Sequence, residues 1–286
     1  MPLLAGAEPY HRDGGPVGVV LCHGLTGSPA SMRPWAEHLA GGGLTVSVPR
    51  LPGHGTRWED LAVTRWSDWY GELCRAVDRI DEQCEQVFVA GLSMGGTLTI
   101  RLAQERGDRL AGIVLVNPSL LSKDPRAALL PVVSRVWRSR AGIGGDIKKP
   151  HEAEPSYART PLRALDSLRQ LWGVTRPQLA RITLPVLLFH SRVDHVVEPV
   201  NSQVFLDGIR SSDVTDRVLE DSYHVATMDN DAPAIFGGSL DWIRARSGIG
   251  PDTGAGARSA PQGTEAAGVA PGAEVAGFAP GTGFAP

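Results

Sequence analysis

Short runs of aliphatic and β-branched residues, separated by amphipathic helical patterns, constrain the fold of this chain more than any other feature. Four such runs occupy residues 17–22, 87–90, 113–116 and 185–190. Because they lack polar alternation, they predict strands buried on both faces. Between the first two runs, apolar residues recur at helical steps at Trp66, Trp69, Tyr70, Leu73, Val77 and Ile80. Parallel strands need crossover connections, so the alternation predicts an α/β fold with a doubly wound, mostly parallel sheet.

Composition and charge narrow the function classes. The chain has 286 residues, of which 42% are hydrophobic, enough to bury a sizeable core. Lys and Arg number 28 against 31 Asp and Glu, without a basic stripe threaded by aromatics, so nucleic acid is not an expected partner. No apolar stretch has the length of a membrane span, and the first residues lack signal-peptide features. The three cysteines have no paired spacing, which fits reduced thiols, and we expect a cytoplasmic location.

Two regions interrupt the alternation of strands and helices. Residues 122–182 show helical segments separated by Gly and Pro and no strand pattern, which predicts a helical cap, or lid, inserted over the sheet. Inside it, an apolar stripe predicts an amphipathic helix with an apolar underside, although it also fits a helix packed on the core: Leu129, Val132, Val133, Val136 and Trp137. Residues 248–286 are rich in Gly, Ala and Pro, so we expect a folded domain over residues 1–247 and a disordered tail.

The sequence GLSMGG, residues 91–96, stands between a predicted strand and a helical pattern. Gly-x-Ser-x-Gly at a strand-to-helix turn is typical of a nucleophile elbow, in which Gly91 and Gly95 let the tight turn close. The helix that begins here directs its unpaired N–H groups toward the place where negative charge develops. Ser93 is therefore the predicted nucleophile of an acyl-transfer reaction.

A serine hydroxyl needs a base, and the base needs an acid to orient it. In this type of fold the chain order is Ser, then Asp or Glu, then His. Asp194 follows the strand at residues 185–190 and is the predicted acid, with Glu198 in the same loop as the alternative. His224 follows a strand-like segment at residues 216–219 and is the predicted base, whereas His195 is interpreted as a loop side chain.

The oxyanion of an acyl-transfer intermediate needs two N–H donors. The amide of Met94, directly after the nucleophile, is one candidate. The other is the amide of Leu25, in the loop after the first buried strand, where Gly24 permits a close backbone approach. His23 and His54 lie in loops near this site and are interpreted as hydrogen-bonded scaffold residues.

Competing classes lack their signature residues. A metal hydrolase would show clustered His, Asp and Glu ligands, and a nucleotide site would show Gly-x-Gly-x-x-Gly or a P-loop lysine. The sequence has neither pattern, so no metal and no cofactor is expected. A non-catalytic ligand receptor of the same fold would usually have lost a triad residue, and this chain keeps all three.

The chain resembles the bacterial monoacylglycerol lipases and related small carboxylesterases of the α/β-hydrolase superfamily. The resemblance spans about residues 17–242 and rests on HGLTGSPASMRPWAEHLA, PRLPGHGT, GLSMGGTL, DHVV and SYHVATMDND. It assigns the same triad and the same oxyanion amides as the chemistry does. One departure is Leu25, because a Phe often occupies this position in the family. The donor is a backbone N–H, so the electrostatics should survive.

The resemblance also implies a substrate. Ile143 matches a family residue that limits substrate size, and Glu154 matches a carboxylate near the glycerol head group. We therefore expect a carboxylic ester hydrolase that prefers monoacylglycerols and contacts lipid aggregates briefly through the cap. A general short- or medium-chain carboxylesterase, or a thioesterase, would use the same triad. The sequence leaves open whether the protein is a monomer or a dimer.

Overall fold

The computed structural model describes residues 2–248, and its centre is a seven-stranded sheet. The strands of the chain are β1 (Tyr10–Arg12), β2 (Val17–Cys22), β3 (Thr45–Val48), β4 (Gln86–Leu92), β5 (Gly112–Val116), β6 (Ser139–Ala141), β7 (Arg159–Pro161), β8 (Val186–Ser191) and β9 (Val214–Leu219). The order in the central sheet is β1-β3-β2-β4-β5-β8-β9. Every neighbouring pair is parallel except β1 with β3. The predicted mostly parallel sheet is therefore confirmed.

Helices cover both faces of this sheet. They are α1 (Arg33–Gly41), α2 (Trp58–Leu61), α3 (Trp66–Asp81), α4 (Met94–Arg106), α5 (Leu130–Val136), α6 (Leu162–Thr175), α7 (Val200–Gly208) and α8 (Ala232–Ser247). Side chains of β2 alternate between two cores: Val19 and Leu21 pack with α1 and α8, whereas Val20 and Cys22 pack with α3, α4 and α6. A strand with an apolar core on each side explains why β2 contains no polar residue.

The apolar runs located the inner strands well. The structure extends the run at 87–90 to β4 and starts the last run one residue later, at Val186. The helical stripe is α3, whose buried residues include Trp69, Leu73, Val77 and Ile80. The strands β1 and β3 were not predicted, because the three residues of β1 are mostly exposed and β3 carries Thr45 and Ser47 among its valines.

The insertion between β5 and β8 contains strands that the sequence analysis did not predict. In this insertion β6 and β7 form an antiparallel ribbon, with Arg140 opposite Thr160. Each strand is three residues long, which is too short to show an alternating pattern. The last helix of the insertion, α6, packs against α3 and α4 with buried Leu168 and Leu171.

The apolar underside predicted for the cap helix is wrong in its direction. The stripe begins at the end of a short 3-10 helix, Pro125–Leu129, runs through α5 and ends at Trp137; four of its five side chains are exposed, and Val133 is half-buried. The exposed fractions are 58% for Leu129, 63% for Val132, 75% for Val136 and 65% for Trp137. Helical periodicity groups residues on one face but cannot tell which way that face turns. This helix therefore does not turn an apolar face toward the cavity around Ser93.

The last element of the described chain is α8, which ends at Ser247 and is followed by Gly248 with a φ of 72°. Left-handed backbone at this position suits glycine and terminates the helix. The predicted disordered tail, apart from Gly248, lies outside the described residues. Among residues 2–248, no helix is long and apolar enough to cross a membrane.

Candidate active site

Ser93 lies between β4 and α4 in a backbone conformation that serine rarely adopts. Its φ is 57° and its ψ is −119°. Such strain persists only where neighbouring structure fixes the backbone. The Ser93 N–H donates to the carbonyl of Val116 at 3.0 Å, and the Ser93 carbonyl accepts from the N–H of Thr97 at 3.1 Å. The turn therefore presents the hydroxyl at the carboxyl edge of the sheet, as a nucleophile elbow does.

Two glycines allow this turn to pack against the neighbouring strand. A Cβ at Gly91 would collide with the backbone of Gly95, and a Cβ at Gly95 would collide with the carbonyl oxygen of Cys22 at the end of β2. Backbone cannot move aside as a flexible side chain can. The small residues on each side of Ser93 are therefore required by close approach, as the sequence analysis inferred.

His224 and Asp194 form a hydrogen-bonded pair at the same edge of the sheet. His224 Nδ1 lies 2.7 Å from Asp194 Oδ2. The other carboxylate oxygen of Asp194 accepts from the N–H groups of Val196 at 2.8 Å and Val197 at 2.7 Å. These bonds fix the carboxylate, and the carboxylate in turn fixes the imidazole orientation. The structure brings together the acid and the base that the sequence analysis named.

Ser93 and His224 line one cavity, which also contains Leu25, Ile143 and Glu154. Its volume is about 340 Å³ with the open mouth included. The described part of the chain shows no hydrogen bond between Ser93 Oγ and the His224 ring. In ligand-free sites this bond is often long and tightens only with substrate.

The surroundings of His224 favour its protonated form. Burial is the largest single effect and acts to lower the pKa of the His224 ring, but the charge of Asp194 and its hydrogen bond to the ring act in the opposite direction. Glu154 and Asp146 contribute further, so the pKa of His224 is raised above its ordinary value of 6.5. The ring is consequently a stronger base than a free imidazole.

The alternative acid and base have other partners. The carboxylate of Glu198 accepts from the N–H of Lys123 at 2.9 Å and is not bonded to His224. His195 is exposed, and its Nδ1 lies 2.9 Å from Asp146 Oδ1. This geometry favours Asp194 over Glu198, and it keeps His195 outside the cavity around Ser93.

The two candidate oxyanion amides belong to residues near the nucleophile. Met94 is the first residue of α4, and Leu25 lies in the loop after β2. Within residues 2–248 neither N–H has a hydrogen-bond partner, which leaves both free to donate. A Cβ at Gly24 would lie 3.6 Å from Ser93 Cβ, so this loop passes directly beside the elbow. The amides are therefore suitably placed donors for a developing oxyanion.

His23 and His54 hold the loop that carries Leu25. His23 Nε2 accepts from the N–H of Leu51 at 3.2 Å, so its Nδ1 carries the proton and donates to the Gly24 carbonyl at 2.9 Å. His54 Nε2 lies 2.8 Å from the Leu25 carbonyl. Burial lowers the pKa of both rings, to about 4 for His54. Both are neutral scaffold residues near pH 7.

Ile143 and Glu154, assigned only by resemblance, both reach the cavity. Ile143 packs against the core on the α3 side of the sheet. Glu154 accepts a hydrogen bond from the N–H of Gly145 at 3.3 Å, and burial raises the pKa of its carboxyl. A Cβ at Gly27 would lie 2.6 Å from Glu154 Oε1, so a larger residue there would force the carboxyl to shift.

Two residues that support the base, Asn117 and Asp146, were not predicted from the sequence. Asn117 follows β5, and its Nδ2 donates to the His224 carbonyl at 2.8 Å. A polar residue at the carboxyl end of a parallel strand is a usable signal for such a role. Asp146 lies in the insertion, and its Oδ2 accepts from the His224 N–H at 3.2 Å. Nothing in the local sequence distinguishes this carboxylate from a surface one.

The described residues contain no group of three or more His, Cys, Asp or Glu side chains arranged to hold a metal ion. Cys22, Cys74 and Cys84 are free thiols. Burial raises the pKa of Cys22, which fits a small apolar residue at the end of β2 better than a reactive thiolate.

The chain has a nucleophile elbow after a central strand, and an aspartate and then a histidine follow later strands. This arrangement defines an α/β-hydrolase of the serine type. Comparison with known families gives the same class. The profile of the family described as "Serine aminopeptidase, S33" matches residues 17–231, and the chain belongs to this hydrolase family.

Individual relatives are lipolytic enzymes and esterases. The chain is 42% identical over 247 residues to a thermostable monoacylglycerol lipase of Bacillus sp. (strain H-257), covering 86% of this chain and 98% of that protein. It is 25% identical over 242 residues to a carboxylesterase of Bacillus subtilis (strain 168), covering 82% and 98%. A solved structure of metagenome-derived lipolytic enzymes superposes with a TM-score of 0.83 at 41% identity, covering 85% of this chain and 100% of that one.

Proposed function

We propose that this chain is a serine hydrolase that cleaves carboxylic esters, monoacylglycerols in particular, through an acyl-enzyme on Ser93. The observation that carries the proposal is one cavity lined by Ser93 in a strained elbow and by His224 bonded to Asp194 at 2.7 Å. The relatives named above as monoacylglycerol lipase and carboxylesterase support the same reaction class.

In the proposed mechanism, Ser93 Oγ attacks the ester carbonyl while His224 Nε2 takes the hydroxyl proton. Asp194 stabilises the imidazolium and holds its orientation. The amides of Leu25 and Met94 donate to the oxyanion of the tetrahedral intermediate. His224 then passes the proton to the departing alcohol. Water attacks the acyl-enzyme with His224 again as base, which releases the fatty acid and restores Ser93.

The cavity supports glycerol as the leaving alcohol. Glu154 lies at its wall, and the carboxyl group can hydrogen-bond a hydroxyl in either protonation state. A monoacylglycerol offers two free hydroxyls, a diacylglycerol one and a triacylglycerol none. Ile143 narrows the same cavity, which disfavours additional acyl chains. We therefore assign Glu154 to leaving-group binding and Ile143 to the limit on substrate size.

A substrate panel tests this assignment. The wild type, Glu154→Ala and Ile143→Gly are compared on mono-, di- and triacylglycerols and on p-nitrophenyl esters of stepped chain length. We expect the wild type to prefer monoacylglycerols. Loss of a hydrogen-bonding group should lower this preference by on the order of tenfold in Glu154→Ala. Equal turnover of tri- and monoacylglycerol by the wild type would reject the lipase assignment and leave a general carboxylesterase or thioesterase.

We also propose that the outward face of the cap helix contacts lipid surfaces. The exposed Leu129, Val132, Val136 and Trp137 form one apolar patch, which we call the cap patch. The chain beside it carries exposed arginines, Arg126, Arg135, Arg138 and Arg140. Aliphatic and indole side chains flanked by arginine suit an interface with anionic lipid. Such contact would bring the cavity close to a substrate that resides in lipid.

Free thiols at Cys22, Cys74 and Cys84 suit a reducing compartment. We therefore propose a cytoplasmic location. The test is fractionation of the native organism's cells, with the enzyme's ester hydrolysis measured in each fraction. Recovery of the activity mainly outside the cytoplasmic fraction would reject this location.

A further inference from the structure

A short piece of the insertion, residues 143–149, runs beside the loop that carries His224. We call it the cap segment; Ile143 stands at its start and lines the cavity. Asp146, in its middle, uses one carboxylate oxygen to accept from the N–H of His224 at 3.2 Å and the N–H of His195 at 3.1 Å. The Asp146 carbonyl accepts from the N–H of Val225 at 3.1 Å. One residue of the insertion thus accepts hydrogen bonds from the N–H of His224 and from the N–H of the next residue, Val225.

The carboxylate of Asp146 is largely enclosed, with 16% of its side chain exposed. Its second oxygen lies 2.9 Å from His195 Nδ1, so both oxygens have partners. Bonds from backbone N–H to a carboxylate are charge-assisted and geometrically strict. Asp194 fixes the ring of His224, whereas Asp146 fixes its backbone. The two carboxylates therefore constrain different parts of the same residue.

We propose that Asp146 is a positioning residue for this reaction: by holding the backbone of His224 it keeps the imidazole aligned with Ser93, and it couples the seating of the cap segment to the alignment of the base. The inference rests on the hydrolysis proposed above. It predicts that the insertion contributes to the chemical step as well as to substrate selection. A cap segment displaced from the histidine loop would leave the base misaligned even for a small ester.

The charged groups around Asp146 and His224 determine how a substitution of Asp146 changes the pKa of His224. His224 faces the carboxyl groups of Asp194, Glu154 and Asp146. Asp146 itself faces His195. Removal of the Asp146 charge takes away one group that stabilises the imidazolium, so the pKa of His224 should fall. A carboxylate that fastened the cap at a distance from the base would not move this pKa.

The chain offers a matched control in a second carboxylate that joins the same two segments. Asp221, in the histidine loop, pairs with Lys148 of the cap segment, with Lys148 Nζ 2.5 Å from Asp221 Oδ1. Both side chains of this pair are exposed, and Asp221 makes no bond to His224. Solvent-exposed ion pairs contribute little to the stability of a fold. Asp221→Asn therefore removes a cap-to-loop carboxylate without touching the base.

The experiment measures kcat, KM and the pH dependence of kcat/KM on p-nitrophenyl butyrate for the wild type, Asp146→Asn and Asp221→Asn. We expect kcat of Asp146→Asn to fall about tenfold with KM nearly unchanged, because the amide oxygen can still accept from the His224 N–H but the bond is no longer charge-assisted. Its acid limb should move to lower pH. Asp221→Asn should match the wild type in all three quantities.

Several outcomes would overturn the inference. One is a folded Asp146→Asn variant whose kcat and acid limb match those of the wild type. Another is an effect of Asp146→Asn on KM alone. A third is a fall in kcat in Asp221→Asn as large as that in Asp146→Asn. If thermal unfolding shows that Asp146→Asn does not fold, Asp146→Glu carries the test: its carboxylate is displaced but its charge remains. The kcat of Asp146→Glu should then fall while its acid limb stays at the wild-type pH. A wild-type kcat in Asp146→Glu would reject the positioning role of Asp146. A wild type inactive on every ester would instead reject the proposed function.

Discussion

Ser93 is the proposed nucleophile, and its backbone is strained, with a φ of 57°. Ser93→Ala should remove essentially all ester hydrolysis while the fold persists, because alanine fits the same turn. Ser93→Gly should be equally inactive. Glycine adopts positive φ freely, so relief of strain should exceed its entropy cost and make Ser93→Gly more stable than Ser93→Ala by on the order of 1 kcal/mol.

Denaturant unfolding of the two variants measures this difference, and p-nitrophenyl butyrate hydrolysis measures the activity. A folded Ser93→Ala enzyme with full activity would contradict the mechanism. Greater stability in Ser93→Ala than in Ser93→Gly would show that the turn is not strained.

Asp194 and Glu198 are carboxylates of one loop with different hydrogen-bond partners. Substitution of Glu198 is therefore a matched control for substitution of Asp194. Asp194→Asn should lower kcat by several orders of magnitude, as the equivalent change does in serine proteases at about 10⁴-fold. Glu198→Gln should stay within a few-fold of the wild type, because Glu198 bonds to the N–H of Lys123 and not to His224. If Glu198→Gln proves the more damaging change in steady-state kinetics, the acid is wrongly assigned.

The raised pKa of His224 fixes the sign of the pH dependence. The base acts when neutral, so kcat/KM should be lost as pH falls through a pKa above 6.5. Glu154→Gln removes a negative charge that faces the ring and should move this acid limb to lower pH. Glu152→Gln is the control, because Glu152 pairs with Lys149 on the surface. An acid limb unchanged in Glu154→Gln, or a flat wild-type profile between about pH 5 and 8, would contradict this account.

Among the elements, the cap helix differs most from its sequence-based prediction, because its apolar side faces solvent. A variant with Val136→Ser and Trp137→Ser should lose affinity for anionic vesicles, on the order of tenfold or more, since apolar groups no longer enter the lipid. Hydrolysis of monoacylglycerol in those vesicles should fall with it. Hydrolysis of soluble p-nitrophenyl acetate should stay at the wild-type rate, because the cap patch does not line the cavity.

The matched control for the cap patch is Val214→Ser. Val214 is also exposed but starts β9, at the end of the sheet away from the site. Vesicle flotation and the two rate assays compare these proteins. Equal loss in Val214→Ser, or no loss in the cap variant, would leave the cap patch without a role at lipid surfaces.

At the scale of the whole molecule, the described residues account for the sheet, both cores and every residue assigned to the site. A chain truncated after Gly248 should therefore keep its unfolding temperature within a few degrees and its kcat/KM on soluble esters. The removed residues are rich in Gly, Ala and Pro and offer few large apolar groups for a core. Thermal unfolding and ester kinetics on both chains check this, and loss of either property would assign the tail a structural or catalytic role.

Features that depend on local pattern were predictable from the amino-acid sequence. Buried inner strands need continuous apolar residues, so β2, β4, β5 and β8 were recognisable. The elbow needs glycines at fixed offsets from Ser93, and chain order restricted the acid and the base. These features could be predicted because each requirement acts on residues close together in the chain or on a fixed order of elements.

The direction of the cap patch and the partners of the base follow from tertiary packing. Periodicity cannot orient a helix, and three-residue strands such as β6 have no detectable period. Asp146 and Asn117 reach His224 from positions 78 and 107 residues away in the chain. Contacts at such separation depend on how the insertion and β5 are placed against the histidine loop, which folding sets through packing and not through any local pattern.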